Sequence, residues 1–237
     1  MNPSECAALG ERLEAVRERL RSAAKTAGRA PEDIRLIAVS KLHPVAAIVA
    51  ATTFGQRVFG ENYVQEALAK QDALANTDIE WHFIGHVQTN KAKDVTGRFA
   101  LIHTVDSQKF AETLARRLPD SVAHQGVLLQ VNIGDEPQKA GVDIADLPAL
   151  AEAVLALPRL TVRGLMCLPP VFDAGEDARP YFARLRNLRD QLESRLGIVL
   201  PELSMGMSGD CSQAVEEGAT LVRVGTDIFG PRSARAL

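Results

Sequence analysis

The chain has 237 residues, 46% hydrophobic and 24% charged, with a formal net charge of −3. That is the composition of an ordinary globular protein, and its slightly acidic balance argues against a general nucleic-acid binder, although a local basic patch would survive it. No apolar stretch is long enough to cross a bilayer, so no membrane association is expected. The opening Met1-Asn2-Pro3-Ser4-Glu5 has neither the basic nor the apolar region of a secretory signal. Cys6, Cys167 and Cys211 are odd in number, far apart and without a CxxC pair. They predict no disulfide framework and no metal site, and they fit a cytoplasmic protein.

Leu9, Leu13, Val16 and Leu20 recur at spacings of four, three and four. This predicts a first helix, with Ser4 as its N-cap and Gly28 just past its end. Pro31 follows, and then a strand over residues 36–39. Further strands are expected at 57–60, 80–85, 101–105, 127–133, 161–168, 202–205 and 220–225, with helical stretches between them. Leu147, Leu150, Val154 and Leu157 form one helix face. Phe182, Leu185, Leu188, Leu192 and Leu196 form another, backed by Arg184, Arg186, Arg189 and Arg195, which read as a solvated face. Pro169-Pro170 through Gly175 is a loop, but regular patterning resumes at once, so residues 1–237 are expected to form one domain.

Eight strand–helix repeats in a chain of this size fit a (β/α)8 TIM barrel, and an open doubly wound sheet has the same local patterning. In a barrel the active face is built from the loops at the C-terminal ends of the strands. Lys41 falls there, closing the apolar run Leu36-Ile37-Ala38-Val39-Ser40. A lysine so placed either sends its ammonium to solvent along its alkyl stem or holds a desolvated amine, a nucleophile able to form a Schiff base.

Two late clusters, Ser204-Met205-Gly206-Met207-Ser208-Gly209-Asp210 and Arg223-Val224-Gly225-Thr226, read as a phosphate cradle in which Ser208 begins the next helix. The same glycines also suit plain turns. His82 and His86 on one strand lie about 13 Å apart, too far to share a metal ion, so His82 is expected to be a hydrogen-bonded residue lining the barrel. There is no G-x-G-x-x-G, no P-loop and no complete G-x-S-x-G elbow.

Taken in order, several stretches resemble the pyridoxal phosphate homeostasis protein family. They are Ala38-Val39-Ser40-Lys41, the run from Phe59 through Gly60-Glu61-Asn62-Tyr63 to Glu66, Trp81-His82-Phe83-Ile84-Gly85 and Gln88-Thr89-Asn90-Lys91. They continue with Gln130-Val131-Asn132-Ile133, Arg163-Gly164-Leu165-Met166, Leu203-Ser204-Met205-Gly206-Met207-Ser208 and the run from Val222 to Gly230.

The resemblance implies a single barrel like the N-terminal domain of alanine racemase, with pyridoxal 5′-phosphate (PLP) held as a Schiff base on Lys41. It places Ser208, Gly225 and Thr226 at the phosphate, Arg223 at the pyridine nitrogen and Asn62 near the ring, with Gly206 and Met207 also among the cofactor-binding residues. It also implies a role for Lys139 in cofactor handling, PLP-requiring apo-enzymes as partners and a monomeric state. His43 stands where many bacterial members carry a second lysine, and Gly209 where an acidic residue is common.

An arginine only donates hydrogen bonds, so it would keep the ring nitrogen unprotonated and weaken the ring as an electron sink. The related racemases take one catalytic tyrosine from a second domain or subunit. This chain ends soon after its eighth strand, and its tyrosines are Tyr63 and Tyr181. A PLP carrier acting in PLP homeostasis is therefore expected ahead of a PLP-dependent racemase. A barrel binding another phosphate, with Lys41 as an aldolase-like amine, is the third reading.

Overall fold

The computed structural model describes residues 1–136, 140–172 and 174–231. Helix α1 (Pro3–Thr26) precedes β1 (Arg35–Val39), α2 (Val45–Thr53), β2 (Val58–Glu61), α3 (Val64–Ala73) and β3 (Glu80–Phe83). Then come α4 (Ala92–Val95), β4 (Leu101–Val105), α5 (Gln108–Arg117), β5 (Gln125–Val131), α6 (Leu147–Leu155) and β6 (Leu160–Cys167). The chain continues through α7 (Arg179–Leu196), β7 (Glu202–Ser204), α8 (Cys211–Glu216), β8 (Leu221–Val224) and α9 (Thr226–Phe229).

The eight strands are parallel and pair in sequence order. β8 returns to β1, with Leu36 opposite Val222 and Ile37 opposite Arg223, which closes the (β/α)8 barrel and removes the open sheet. Strand alternation divides the core in two. Ala38, Phe59, Phe83 and Leu129 pack outward with the helices. Ile37, Leu101, Leu128, Met166 and Leu221 pack inside the barrel.

The first helix starts earlier than expected. Its N-cap is Asn2, not Ser4: Asn2 Oδ1 accepts from the Glu5 N–H at 2.8 Å, and the Asn2 N–H donates to the Glu5 carboxylate at 2.9 Å. This reciprocal box satisfies two backbone donors at the helix start, Pro3 in the first turn has no N–H to satisfy, and Ser4 falls inside the helix. Gly28, at φ +66°, follows the helix end as expected. Leu9, Leu13, Val16 and Leu20 are all buried.

The expected second face also shortens, because α6 ends at Leu155 and leaves Leu157 in the following turn. The arginine face of α7 is ion-paired more than simply solvated. Arg186 reaches Glu217 at 2.8 Å, Arg184 reaches Asp135 at 3.2 Å and Arg195 reaches Glu152 at 2.9 Å. Cys6, Cys167 and Cys211 are free thiols. No helix among the described residues is long and apolar enough to cross a membrane.

Candidate site at the C-terminal mouth of the barrel

A cavity of about 350 Å³ opens at the C-terminal ends of the strands. Its walls carry Lys41 and His43 after β1, Asn62 after β2, Ile84 after β3, Leu168 after β6, Met207, Ser208 and Gly209 after β7, and Arg223, Gly225 and Thr226 from β8 onward. The barrel therefore gathers Lys41, Asn62, Met207, Ser208, Arg223, Gly225 and Thr226 into one space. Gly206 does not line it. That residue, at φ +87°, makes the turn itself, where an added Cβ would meet the Ala214 methyl at 2.5 Å. Lys139 lies outside the described residues.

The loop carrying Lys41 is clamped on both sides. The Ser40 N–H donates to the Gly60 carbonyl at 3.1 Å, and the Ser40 carbonyl accepts from the Lys70 ammonium at 2.7 Å. The Leu42 N–H donates to the Glu66 carboxylate at 2.6 Å, with Leu42 in the left-handed region at φ +62°. Lys70 is 4% exposed and also reaches Glu61 and Glu66, each at 2.7 Å. The Ser40 hydroxyl donates to Glu61 at 2.6 Å. Burial pushes the Glu61 carboxyl up, against the opposing pull of Lys70. The sequence reading passed over Lys70, although Glu66 four residues earlier on α3 is the usual helical pairing.

Asn62 is held by the close approach of Gly85, where any Cβ would fall 2.0 Å from the Asn62 carbonyl oxygen. Its side-chain Oδ1 is buried and has no hydrogen-bond partner. A buried acceptor left alone is costly, so a donor brought into the cavity would satisfy it.

On the opposite wall the backbone N–H groups of Ser208, Gly209, Gly225 and Thr226 donate to no acceptor among the described residues. The Met207 N–H is already taken by Asp210 at 2.6 Å. Ser208 sits in this turn and does not begin a helix, because α8 starts at Cys211 with Asp210 before it. These four residues line the same cavity, and backbone donors with no acceptor among the described residues have the chemistry of an oxyanion receptor. Gly225 is pressed on β1, and a Cβ there would lie 3.2 Å from the Val39 carbonyl oxygen.

Arg223 forms the floor of the cavity and is 4% exposed. It donates to the Ser204 hydroxyl and, at 2.9 Å, to the Cys167 carbonyl. Burial pulls its guanidinium below the ordinary value. The Cys167 thiol is pushed up to about 12 by burial, so it stays protonated and inert. His43 stacks on Phe229 with ring centroids 5.1 Å apart. His82 lines the barrel as a hydrogen-bonded residue, as expected, with Glu80 on one ring nitrogen and His103 on the other. His103 itself escaped the sequence reading. Among the described residues no cluster of potential ligands is arranged to hold a metal ion.

The chain matches the family described as "Alanine racemase, N-terminal domain" over residues 12–233. It is 46% identical over 222 residues to the pyridoxal phosphate homeostasis protein of Aquifex aeolicus, covering 94% of this chain and 97% of that one. It is 41% identical over 234 residues to the protein of the same name from Escherichia coli, again covering 94% and 97%. Among solved structures, PipY of Synechococcus elongatus with PLP bound superposes with a TM-score of 0.83 at 41% identity. That match covers 94% of this chain and all of PipY. Alanine racemase from Corynebacterium glutamicum, at 18% identity and a TM-score of 0.69, shares the fold over 61% of its length.

Proposed function

This chain belongs to the pyridoxal phosphate homeostasis proteins within the alanine racemase N-terminal domain family, and from that premise we propose that it binds PLP as a Schiff base on Lys41 and acts in PLP homeostasis without ordinary amino-acid turnover. One observation carries the reading: a lysine on a clamped loop shares a cavity with four free N–H donors and a buried arginine. When bound, PLP supplies an aldehyde for the amine and a phosphate for the donors. The PLP held by PipY, which is 41% identical, supports the choice of ligand.

The chain's own residues divide the work. Lys41 supplies the amine, and the clamp of Ser40, Glu66 and Lys70 keeps its loop in place. Ser208, Gly209, Gly225 and Thr226 take the phosphate, with Met207 at the rim. Asn62 offers its unpartnered oxygen to the ring. Arg223 donates toward the ring nitrogen and keeps it unprotonated, which disfavours storage of a carbanion in the ring. Neither Tyr63 nor Tyr181 lines the cavity: Tyr63 precedes α3, and Tyr181 packs on Phe172. This favours the carrier over the racemase; in the proposal the carrier keeps PLP for PLP-requiring apo-enzymes and works as a monomer, in the cytoplasm, as one domain.

The test is a turnover screen on protein loaded with PLP. We expect a visible absorption band that persists on adding common amino acids, with no significant racemase, decarboxylase or transaminase activity. Racemisation at a typical enzymatic rate of about 1 per second or faster would replace the carrier with the PLP-dependent racemase.

A further inference from the structure

The interior of a (β/α)8 barrel is ordinarily filled by layers of bulky apolar side chains. Here a polar chain is threaded through it. Glu80, near the N-terminal floor, meets His82 Nε2 at 2.7 Å. His82 Nδ1 meets His103 Nε2 at 2.9 Å, and His103 Nδ1 meets the Ser204 Oγ at 2.8 Å. Ser204 Oγ accepts from Arg223 at the cavity floor. His82, His103 and Ser204 are each 0% exposed. The links join β3, β4, β7 and β8.

The direction of every proton in this chain follows from its two ends. A guanidinium only donates and a carboxylate only accepts. Glu80 is held below the usual carboxylate range, first by its bond from His82, so it accepts and His82 Nε2 carries the proton. Burial drives both imidazoles below the ordinary histidine value, His103 well below it. Neutral His82 must then accept at Nδ1 from His103 Nε2–H. Neutral His103 must accept at Nδ1 from the Ser204 hydroxyl, whose oxygen accepts from Arg223. Four groups thus donate in one sense, from Arg223 at the cavity to the Glu80 carboxylate at the N-terminal end of the barrel, and each link polarises the next.

Other charges surround the chain. Arg35 of β1 lies 3.1 Å from Glu80 and 3.1 Å from Glu202 of β7, and Arg163 of β6 lies 3.9 Å from Glu202. Asp210 acts on Arg223 from the loop after β7. The direct contacts of Arg223 are nonetheless a hydroxyl and a carbonyl, not a carboxylate.

We infer that Glu80, His82, His103 and Ser204 are positioning residues for Arg223, a one-way hydrogen-bond chain that fixes the guanidinium under the cavity and thereby sets the protonation of the ring nitrogen above it. The ring-nitrogen part rests on the PLP reading given above; the proton order of the chain does not.

The test is nitrogen NMR of the full chain, with and without PLP, joined to PLP titrations. Both His82 and His103 are expected as neutral Nε2–H tautomers near neutral pH. An Nδ1–H tautomer or a doubly protonated ring at either position overturns the inference. Glu80→Leu, at the half-exposed end, should shift the His103 nitrogens, which Glu80 does not touch; unmoved His103 signals overturn it. Ser204→Ala should weaken PLP binding about tenfold and alter the pH dependence of the visible band, with Ser204→Thr restoring both. Wild-type affinity and spectrum in Ser204→Ala overturn the positioning role. If wild-type protein takes no PLP on Lys41, the carrier reading fails, and the NMR arm still decides the chain.

Discussion

The two ends of the barrel carry charge in opposite ways. At the floor Arg35 sits 3.1 Å from both Glu80 and Glu202, so cation and carboxylate answer each other within the chain. At the mouth the protein gathers donors: Lys41, Arg223 and four backbone N–H groups around one cavity. A self-neutralised cluster serves stability. A cavity lined by an amine, a guanidinium and backbone donors is complementary to something brought in, and a phosphate-bearing aldehyde answers both the anion site and the amine.

Lys41 after β1 and Lys70 on α3 sharpen this contrast most. Lys70→Met removes one partner of the buried pair with Glu61 and unclamps Ser40. It should cost about 3–5 kcal/mol of stability in a denaturant titration. Lys41→Ala should cost less than about 1 kcal/mol in the same titration and yet abolish covalent PLP. Equal losses from the two would erase the distinction between structural wall and functional mouth.

The anion site is tested by ligand and by backbone. Pyridoxal without its phosphate should bind at least about a hundredfold more weakly than PLP, because several charge-assisted bonds are lost. Gly225→Val should weaken PLP binding about ten- to a hundredfold by crowding the Val39 carbonyl, 3.2 Å from the new Cβ. Isothermal titration reads both, and equal affinity for pyridoxal and PLP would break the account of the mouth.

The interior chain makes a pH prediction. His82 and His103 titrate below the ordinary value of 6.5 in the folded protein. Between the folded and unfolded values the unfolded chain binds more protons, so stability falls as pH drops below 6.5, and it is fully present above. The slope should approach ~1.4 kcal/mol per pH unit for each histidine. His103→Gln should reduce it, as read by unfolding titrations over that window. The smallest effect belongs to the floor rim: Arg35→Gln breaks partly exposed pairs and should change stability by about 1 kcal/mol or less.

The eight strands were legible because each is a short apolar run between helical stretches. The C-terminal ends of β3, β5, β6, β7 and β8 were read too long. Ile84 and Leu168 continue the apolar patterns beyond β3 and β6 but line the mouth, where an apolar residue is buried without pairing in the sheet. Lys41, Asn62 and Arg223 were legible through motif resemblance, and the barrel then brought them together. The Asn2 box was missed because Ser4 offered an equally familiar cap two residues on. Lys70 and His103 were missed for another reason: the local Glu66–Lys70 pair reads as an ordinary helix-surface pair, and the partners that bury Lys70 and His103 in the barrel are distant in sequence. Lys70 meets Ser40, and His103 meets Ser204 101 residues later. Only the closed barrel makes Lys70 and Ser40, or His103 and Ser204, neighbours, so no local pattern announces those contacts.

The most direct test of the central claim is borohydride reduction of the PLP-loaded chain followed by peptide mapping. The pyridoxyl adduct is expected on Lys41. An adduct mainly on Lys91 or Lys139, with Lys41 unmodified, would contradict the account.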